Sequence, residues 1–122
     1  MKHSPGFVKI SEEAKEKVKE ISVDEVYKRL SSGEKFHLVD VREDSEWVEG
    51  HAKGAKHIGK GVIERDIEIT IPDKNSEIVL YCGGGYRSAL AAEVLQRMGY
   101  HNVISMNGGI KAWREKHFPE EK

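Results

Sequence analysis

Apolar residues recur at helical spacing from Val23 onward, with Val26, Tyr27 and Leu30 on one stripe. Ser22 stands before that stripe and Glu25 follows three residues later, the spacing of a capping box. Gly33 suits the stop. The pattern then shortens. Phe36-His37-Leu38-Val39-Asp40-Val41 predicts a β-branched strand that ends among polar Asp40 and Arg42. Residues 43–49 read as a short helix closed by Gly50, and His57-Ile58 as a minor strand. Val62, Ile63, Ile67 and Ile69 give residues 61–69 a weak helical pattern before Pro72 breaks the chain. Ile78-Val79-Leu80-Tyr81 is the clearest buried strand, and it runs straight into Cys82-Gly83-Gly84-Gly85-Tyr86-Arg87. An apolar helix is predicted from Ser88 to Met98, stopped by Gly99. Val103-Ile104 follows as a strand and Asn107-Gly108-Gly109 as a tight turn. Ile110 to Lys116 closes the series as a helix with Trp113 on its inner side.

The first twenty residues read differently. Pro5 and Gly6 lie in a stretch of little periodicity, expected as a loose lead-in over residues 1–10. Residues 11–20, SEEAKEKVKE, are almost all charged. Ser11 can cap a helix whose first turn holds Glu12 and Glu13, so a solvated helical face or an appended arm is expected there. The division is therefore 1–20, lead-in and charged helix, and 21–122, one folded domain. Strands and helices alternate over short connections in that domain. This is the pattern of an α/β fold with a small central parallel sheet and helices on both faces.

Composition narrows the partners. The 122 residues fit one domain, 38% of them are apolar and 34% charged. Twenty basic against twenty-one acidic residues leave a net charge of -1, so neither nucleic acid nor an anionic membrane is an expected partner. No apolar run is long enough to span a bilayer, and Met1 to Ile10 lacks the apolar core of a secretory signal. A cytoplasmic location is the expectation. The single cysteine excludes an internal disulfide framework and any dithiol relay within one chain.

A lone cysteine is usually a small buried hydrophobe. The surroundings of Cys82 argue otherwise. It follows a buried strand and precedes a helix, at the sheet edge where open α/β folds bind ligands. Gly83, Gly84 and Gly85 let the backbone approach a ligand and turn N–H groups inward. The helix starting at Ser88 adds its unpaired N–H groups, and Arg87 adds a fixed positive charge. Together these features favour a sulfur anion, the nucleophilic form of cysteine.

Several motifs, taken in order, resemble the rhodanese homology domain in its single-domain form, over roughly Ile21 to Lys116. Asp40-Val41-Arg42 looks like the family's DVR, with Glu46 and Trp47 after it. Gly50-His51 and Gly54-Ala55 resemble its GHIPGA segment, with Lys53 in place of the usual proline and Ala52 in place of an aliphatic residue. Cys82 to Ser88 looks like the active-site loop C-x-x-G-x-R-S, with Tyr86 bulky at a position that is often small or polar. Gly108-Gly109-Ile110 with Ala112-Trp113 resembles the closing segment. The resemblance implies sulfurtransfer without metal or organic cofactor. Cys82 would take sulfane sulfur from a small donor such as thiosulfate, hold it as a persulfide, and pass it to cyanide, a thiol or a protein acceptor. The loop amides of Gly83, Gly84, Gly85, Tyr86, Arg87 and Ser88 would hold the persulfide, and Arg87 would help to bind the donor.

Asp40 and Arg42 end a strand at the same edge and could line the site, but they are expected mainly to pair with other loop charges and hold the loops together, with Glu46 a candidate partner of Arg42. His51 and His57 match no zinc spacing, and His51 is expected to bond loop groups. Trp47 and Trp113 are expected as packing residues. Three other functions use the same loop. A cysteine-dependent phosphatase places five residues between cysteine and arginine, whereas four separate Cys82 from Arg87, and Tyr81 stands where such enzymes place histidine. A carrier module that serves one protein partner needs only the reactive loop. Handling of arsenate or another oxyanion would rest on the same cradle.

Overall fold

A computed structural model describes residues 3–122. In chain order the elements are helix α1 (Pro5–Lys17), strand β1 (Lys19–Ile21), α2 (Val23–Ser31), β2 (His37–Asp40), α3 (Asp44–Val48), β3 (His51–Ala52), β4 (Lys56–His57), α4 (Ile63–Thr70), β5 (Glu77–Tyr81), α5 (Tyr86–Arg97), β6 (Asn102–Met106), α6 (Gly109–Glu115) and β7 (Glu120–Glu121). Five strands form one parallel sheet in the order β1-β6-β5-β2-β4. β3 and β7 make a separate antiparallel pair.

The alternation along β5 explains the layers. Ile78 and Leu80 face one side and join Ile63, Ile67 and Ile71 around α4 with Ala91, Ala92 and Leu95 of α5. Val79 and Tyr81 face the other side and join Val23 and Val26 of α2 with Ile110 and Trp113 of α6. The sheet is thus buried on both faces, as parallel sheets require, and its central strands read as continuous apolar runs. Tyr100 fixes the end of α4 by donating its hydroxyl to the Ile71 carbonyl at 2.6 Å.

The helix at Ser22 forms as the spacing predicts, and Ser22 Oγ accepts the Glu25 N–H at 3.1 Å. The amino-terminal expectation is corrected. The helix starts at Pro5, not Ser11, because proline supplies the first-turn φ and its missing N–H costs nothing there. Residues 1 and 2 of the expected lead-in lie outside the described residues. Ser11 is not a cap but is buried mid-helix, and with buried Ala14 it marks the face of α1 that packs on α5. Small side chains let the two helices approach closely. Residues 19–21 leave the helix and add the edge strand β1, which their charged sequence hid. The minor strand falls at Lys56–His57, one residue earlier than expected, and Ile58 turns into the core.

Ser11 Oγ has no hydrogen-bond partner in its buried position. Ser11→Ala removes an orphaned hydroxyl and adds helix propensity, so it should hold or raise stability by about 0.5–1 kcal/mol. Thermal unfolding of the two proteins measures this, and a drop of that size would mean that the hydroxyl has a partner.

Candidate active site at the end of strand β5

Tyr81 ends β5, and Cys82 begins the loop that leads into α5. The helix starts at Tyr86 rather than Ser88, so Tyr86, Arg87 and Ser88 form its first turn. Gly85 is the residue before it, with φ of +114°, a conformation that side-chain-bearing residues rarely adopt. That turn reverses the chain so that backbone donors face the cysteine. Cys82 Sγ accepts the Gly85 N–H at 3.1 Å and the Ser88 N–H at 3.4 Å. The Cys82 thiol reaches Ser88 Oγ at 3.6 Å, and Ser88 Oγ lies 2.8 Å from Ser105 Oγ of β6. Cys82 is only 1% exposed.

The loop is held from below by α6. Ile110 donates its N–H to the Cys82 carbonyl at 2.8 Å, and Lys111 donates to the Gly83 carbonyl at 3.1 Å. These bonds require contact between backbones. Gly109 has φ of +57°, and a Cβ there would collide with the Cys82 carbonyl oxygen. The expected turn at residues 107–109 is therefore a buttress of the cysteine loop.

Arg87 does not stand free. Its guanidinium forms a bidentate pair with Glu46 at 2.7 and 3.1 Å. The Arg87 bond holds the Glu46 carboxyl below its ordinary range, although partial burial opposes this. Glu46 raises Arg87 in turn. This corrects the expected Glu46–Arg42 pairing. Arg42 instead pairs with Asp40 at 2.8 Å, where both are buried, and donates to the Gly50 carbonyl at 2.7 Å. Burial works against the charge on Arg42, but the bond to Asp40 and its charge outweigh that and leave Arg42 above its ordinary value. Asp40 also accepts the Arg42 backbone N–H at 2.9 Å, so the pair locks the turn after β2. His51 Nδ1 lies 3.2 Å from the Trp47 carbonyl, and its ring stacks on Trp47. Tyr81 is fully buried and accepts the Ala52 N–H at 3.0 Å. Burial first and the Asp40 charge second push its phenol far above the ordinary range.

Two cavities meet at the loop. A small one, about 120 Å³, is lined by Cys82, Gly84, Tyr86 and Arg87 together with His3 and Phe7. A larger groove of about 640 Å³ runs past Gly83, Gly84 and Arg87 toward Lys111 and Arg114. Sequence reasoning missed Ser105, His3 and Phe7. Ser105 carried one signal, a polar residue inside an apolar strand. His3 and Phe7 had none, because the stretch before the charged helix shows no periodicity.

Residues 22–116 match the family model described as "Rhodanese-like domain". The chain belongs to the rhodanese-like domain family. It is 35% identical over 103 residues to "Putative sulfurtransferase YtwF" of Bacillus subtilis, covering 84% of this chain and 97% of that protein. It is 36% identical over 75 residues to thiosulfate sulfurtransferase PspE of Escherichia coli, covering 62% of this chain and 71% of that one. It spans 23% to 56% of the length of other curated relatives that it matches. Among solved structures, a protein of unknown function from Rhodopseudomonas palustris, described as a possible tyrosine phosphatase, superposes with a TM-score of 0.86 at 29% identity. That match covers 99% of this chain and 98% of that one. The rhodanese-like fold expected from the sequence motifs is thus the fold observed. Among the described residues, no helix is long and apolar enough to cross a membrane.

The Glu46–Arg87 pair gives a pH dependence. With its folded value lowered, Glu46 contributes fully above the unfolded carboxylate value of about 4.3 and loses that contribution as pH falls through the lower folded value. Glu46→Gln should lower stability at neutral pH by no more than about 1 kcal/mol, since the pair is partly solvated. The gap to the unsubstituted protein should close on acidification. Melting curves across that range check it, and a gap independent of pH would contradict the pairing.

Proposed function

We propose that the protein is a sulfurtransferase that moves sulfane sulfur from a small anionic donor such as thiosulfate to a thiophilic acceptor through a Cys82 persulfide. The observation that carries this is the convergence of the Gly85 and Ser88 N–H groups on the buried Cys82 sulfur. Donors aimed at one atom suit a sulfur that carries negative charge in the reaction. Family membership and the likeness to sulfurtransferases support the reading.

In the first half-reaction, the Cys82 thiolate attacks the outer sulfur of thiosulfate. A Cys82–sulfur bond forms, the bond to the sulfonate sulfur breaks, and sulfite leaves with the electron pair. In the second, the acceptor's thiolate or cyanide attacks the terminal sulfur, and the Cys82 thiolate is the leaving group. One cysteine suffices. Ser88 tunes the charge locally. Its hydroxyl accepts from the thiol in the resting state and turns its proton to the sulfur once that is anionic, with the Ser105 hydroxyl donating to Ser88 Oγ in compensation. Arg87 faces the donor's sulfonate from the cavity wall, steadied by Glu46. Asp40 and Arg42 support the loops without touching the sulfur. The partners are the small sulfur donor and a thiol acceptor, and the site of action is cytoplasmic.

Phosphate ester hydrolysis is the second reading, favoured by the likeness to the R. palustris protein. The four-residue spacing from Cys82 to Arg87 argues against it, because a shorter loop leaves a narrower cradle than a phosphoryl group needs.

Reduced protein incubated with thiosulfate and freed of excess donor should gain the mass of one sulfur atom, and cyanide should remove it. Cys82→Ala should gain none. Ser88→Ala should load more slowly, by about tenfold, from the loss of one hydroxyl donor to the reacting sulfur. Failure to load from thiosulfate or any other sulfane donor, together with hydrolysis of an aryl phosphate that depends on Cys82, would replace this reading with the phosphatase.

A further inference from the structure

Helix α1 lies outside residues 22–116, which carry the family pattern. Its first turn and the residues before it nevertheless border the cavity at Cys82. His3 and Phe7 line the small cavity with Cys82, Gly84, Tyr86 and Arg87. The three aromatic rings form a closed set. The centroids of His3 and Phe7 are 5.3 Å apart, those of His3 and Tyr86 5.3 Å, and those of Phe7 and Tyr86 5.8 Å. These are spacings at which aromatic rings attract one another.

Tyr86 is anchored at its far end as well. Its hydroxyl donates to Glu12 Oε1 at 2.8 Å, and Lys15 Nζ sits 5.5 Å from its ring centre. Tyr86 is the residue that departs from the family's small or polar choice in this loop. Its bulk has a counterpart, since every one of these contacts is to α1 or to the residues before it. Tyr86 and α1 therefore act as one feature, a wall raised on the loop side of Cys82. On the other side of His3 the larger groove opens, and His3, Gly84 and Arg87 border both spaces.

We propose that His3, Phe7 and Tyr86 form a selectivity wall over Cys82 that admits small sulfane anions and small thiophilic acceptors and excludes bulky ones. A chamber of about 120 Å³ has room for a compact tetrahedral anion or a short chain of sulfur atoms. The aromatic surfaces offer a polarisable lining to sulfur and displace water from the persulfide. An aryl-substituted or peptide-borne sulfur would have to push Phe7 and Tyr86 apart. The meaning for substrates rests on the sulfurtransferase reading, but the wall itself governs access to Sγ in any chemistry.

Cys82 is the single cysteine, so alkylation reads the wall directly. The full-length protein, Phe7→Ala and His3→Ala would each be treated with iodoacetamide and with a pyrene maleimide, and the rates followed by intact mass. Phe7→Ala should raise the rate of the bulky reagent relative to the small one by about tenfold, and His3→Ala should move the ratio the same way by about threefold. An unchanged ratio in both variants overturns the wall. If Phe7→Ala melts early, His3→Ala decides, because His3 is exposed and precedes the helix. Sulfur loading from thiosulfate is measured on the same samples. Loading with no size selectivity refutes the wall alone. Size selectivity with no loading upholds the wall and refutes thiosulfate as the donor.

Discussion

The backbone contact between the start of α6 and the cysteine loop is the constraint on which the site depends. Ile110 and Lys111 donate to the carbonyls of Cys82 and Gly83, and this fixes the two peptide units that leave β5. With those carbonyls turned toward α6, the chain can reverse at Gly85 and direct the Gly85 and Ser88 N–H groups at the sulfur. Gly109 makes the contact sterically feasible, since any Cβ at its position would strike the loop. The two N–H groups that face the sulfur are thus positioned by the backbone itself.

The sheet places this assembly. β5 is central, flanked by β6 and β2, so the loop at its end is bordered by elements from both neighbours. β6 contributes Ser105 behind Ser88, and the connection after β2 contributes Arg42 and, through α3, Glu46. The buried Asp40–Arg42 pair is costly to desolvate, and its hydrogen bonds offset that cost. Asp40 takes both the guanidinium and the backbone of Arg42, while Nη2 of the guanidinium also donates to the Gly50 carbonyl. One removed partner would leave a buried charge beside the site. The amino-terminal helix adds a third border, through rings on the open side of the loop.

Most of this was legible in the chain itself, where local pattern and tertiary environment agree. The run Ile78–Tyr81 is apolar on both faces because the sheet is covered on both faces, so the strand and the position of Cys82 follow from it. The cysteine, glycine, arginine and serine of the loop were readable for the same reason, since backbone turns impose residue types. The failures have a common cause. Lys19–Ile21 is a strand because β6 offers a free edge, which nothing in a charged tripeptide announces. The length of α1 depends on Ser11 and Ala14 fitting against α5, a fit that small side chains conceal. The Glu46–Arg87 pair joins residues 41 positions apart, and charge alone could not choose between Arg42 and Arg87. His3 and Phe7 belong to the site solely through packing.

The site works as described only if the amides of the loop hold the sulfur anion. Amide proton and nitrogen shifts of uniformly labelled protein, recorded before and after sulfur loading, test it at each residue. The largest changes are expected at Gly85 and Ser88, whose N–H groups already bond the unloaded sulfur, and none of these in Cys82→Ser. Changes that spare the loop, or that persist without Cys82, would contradict it.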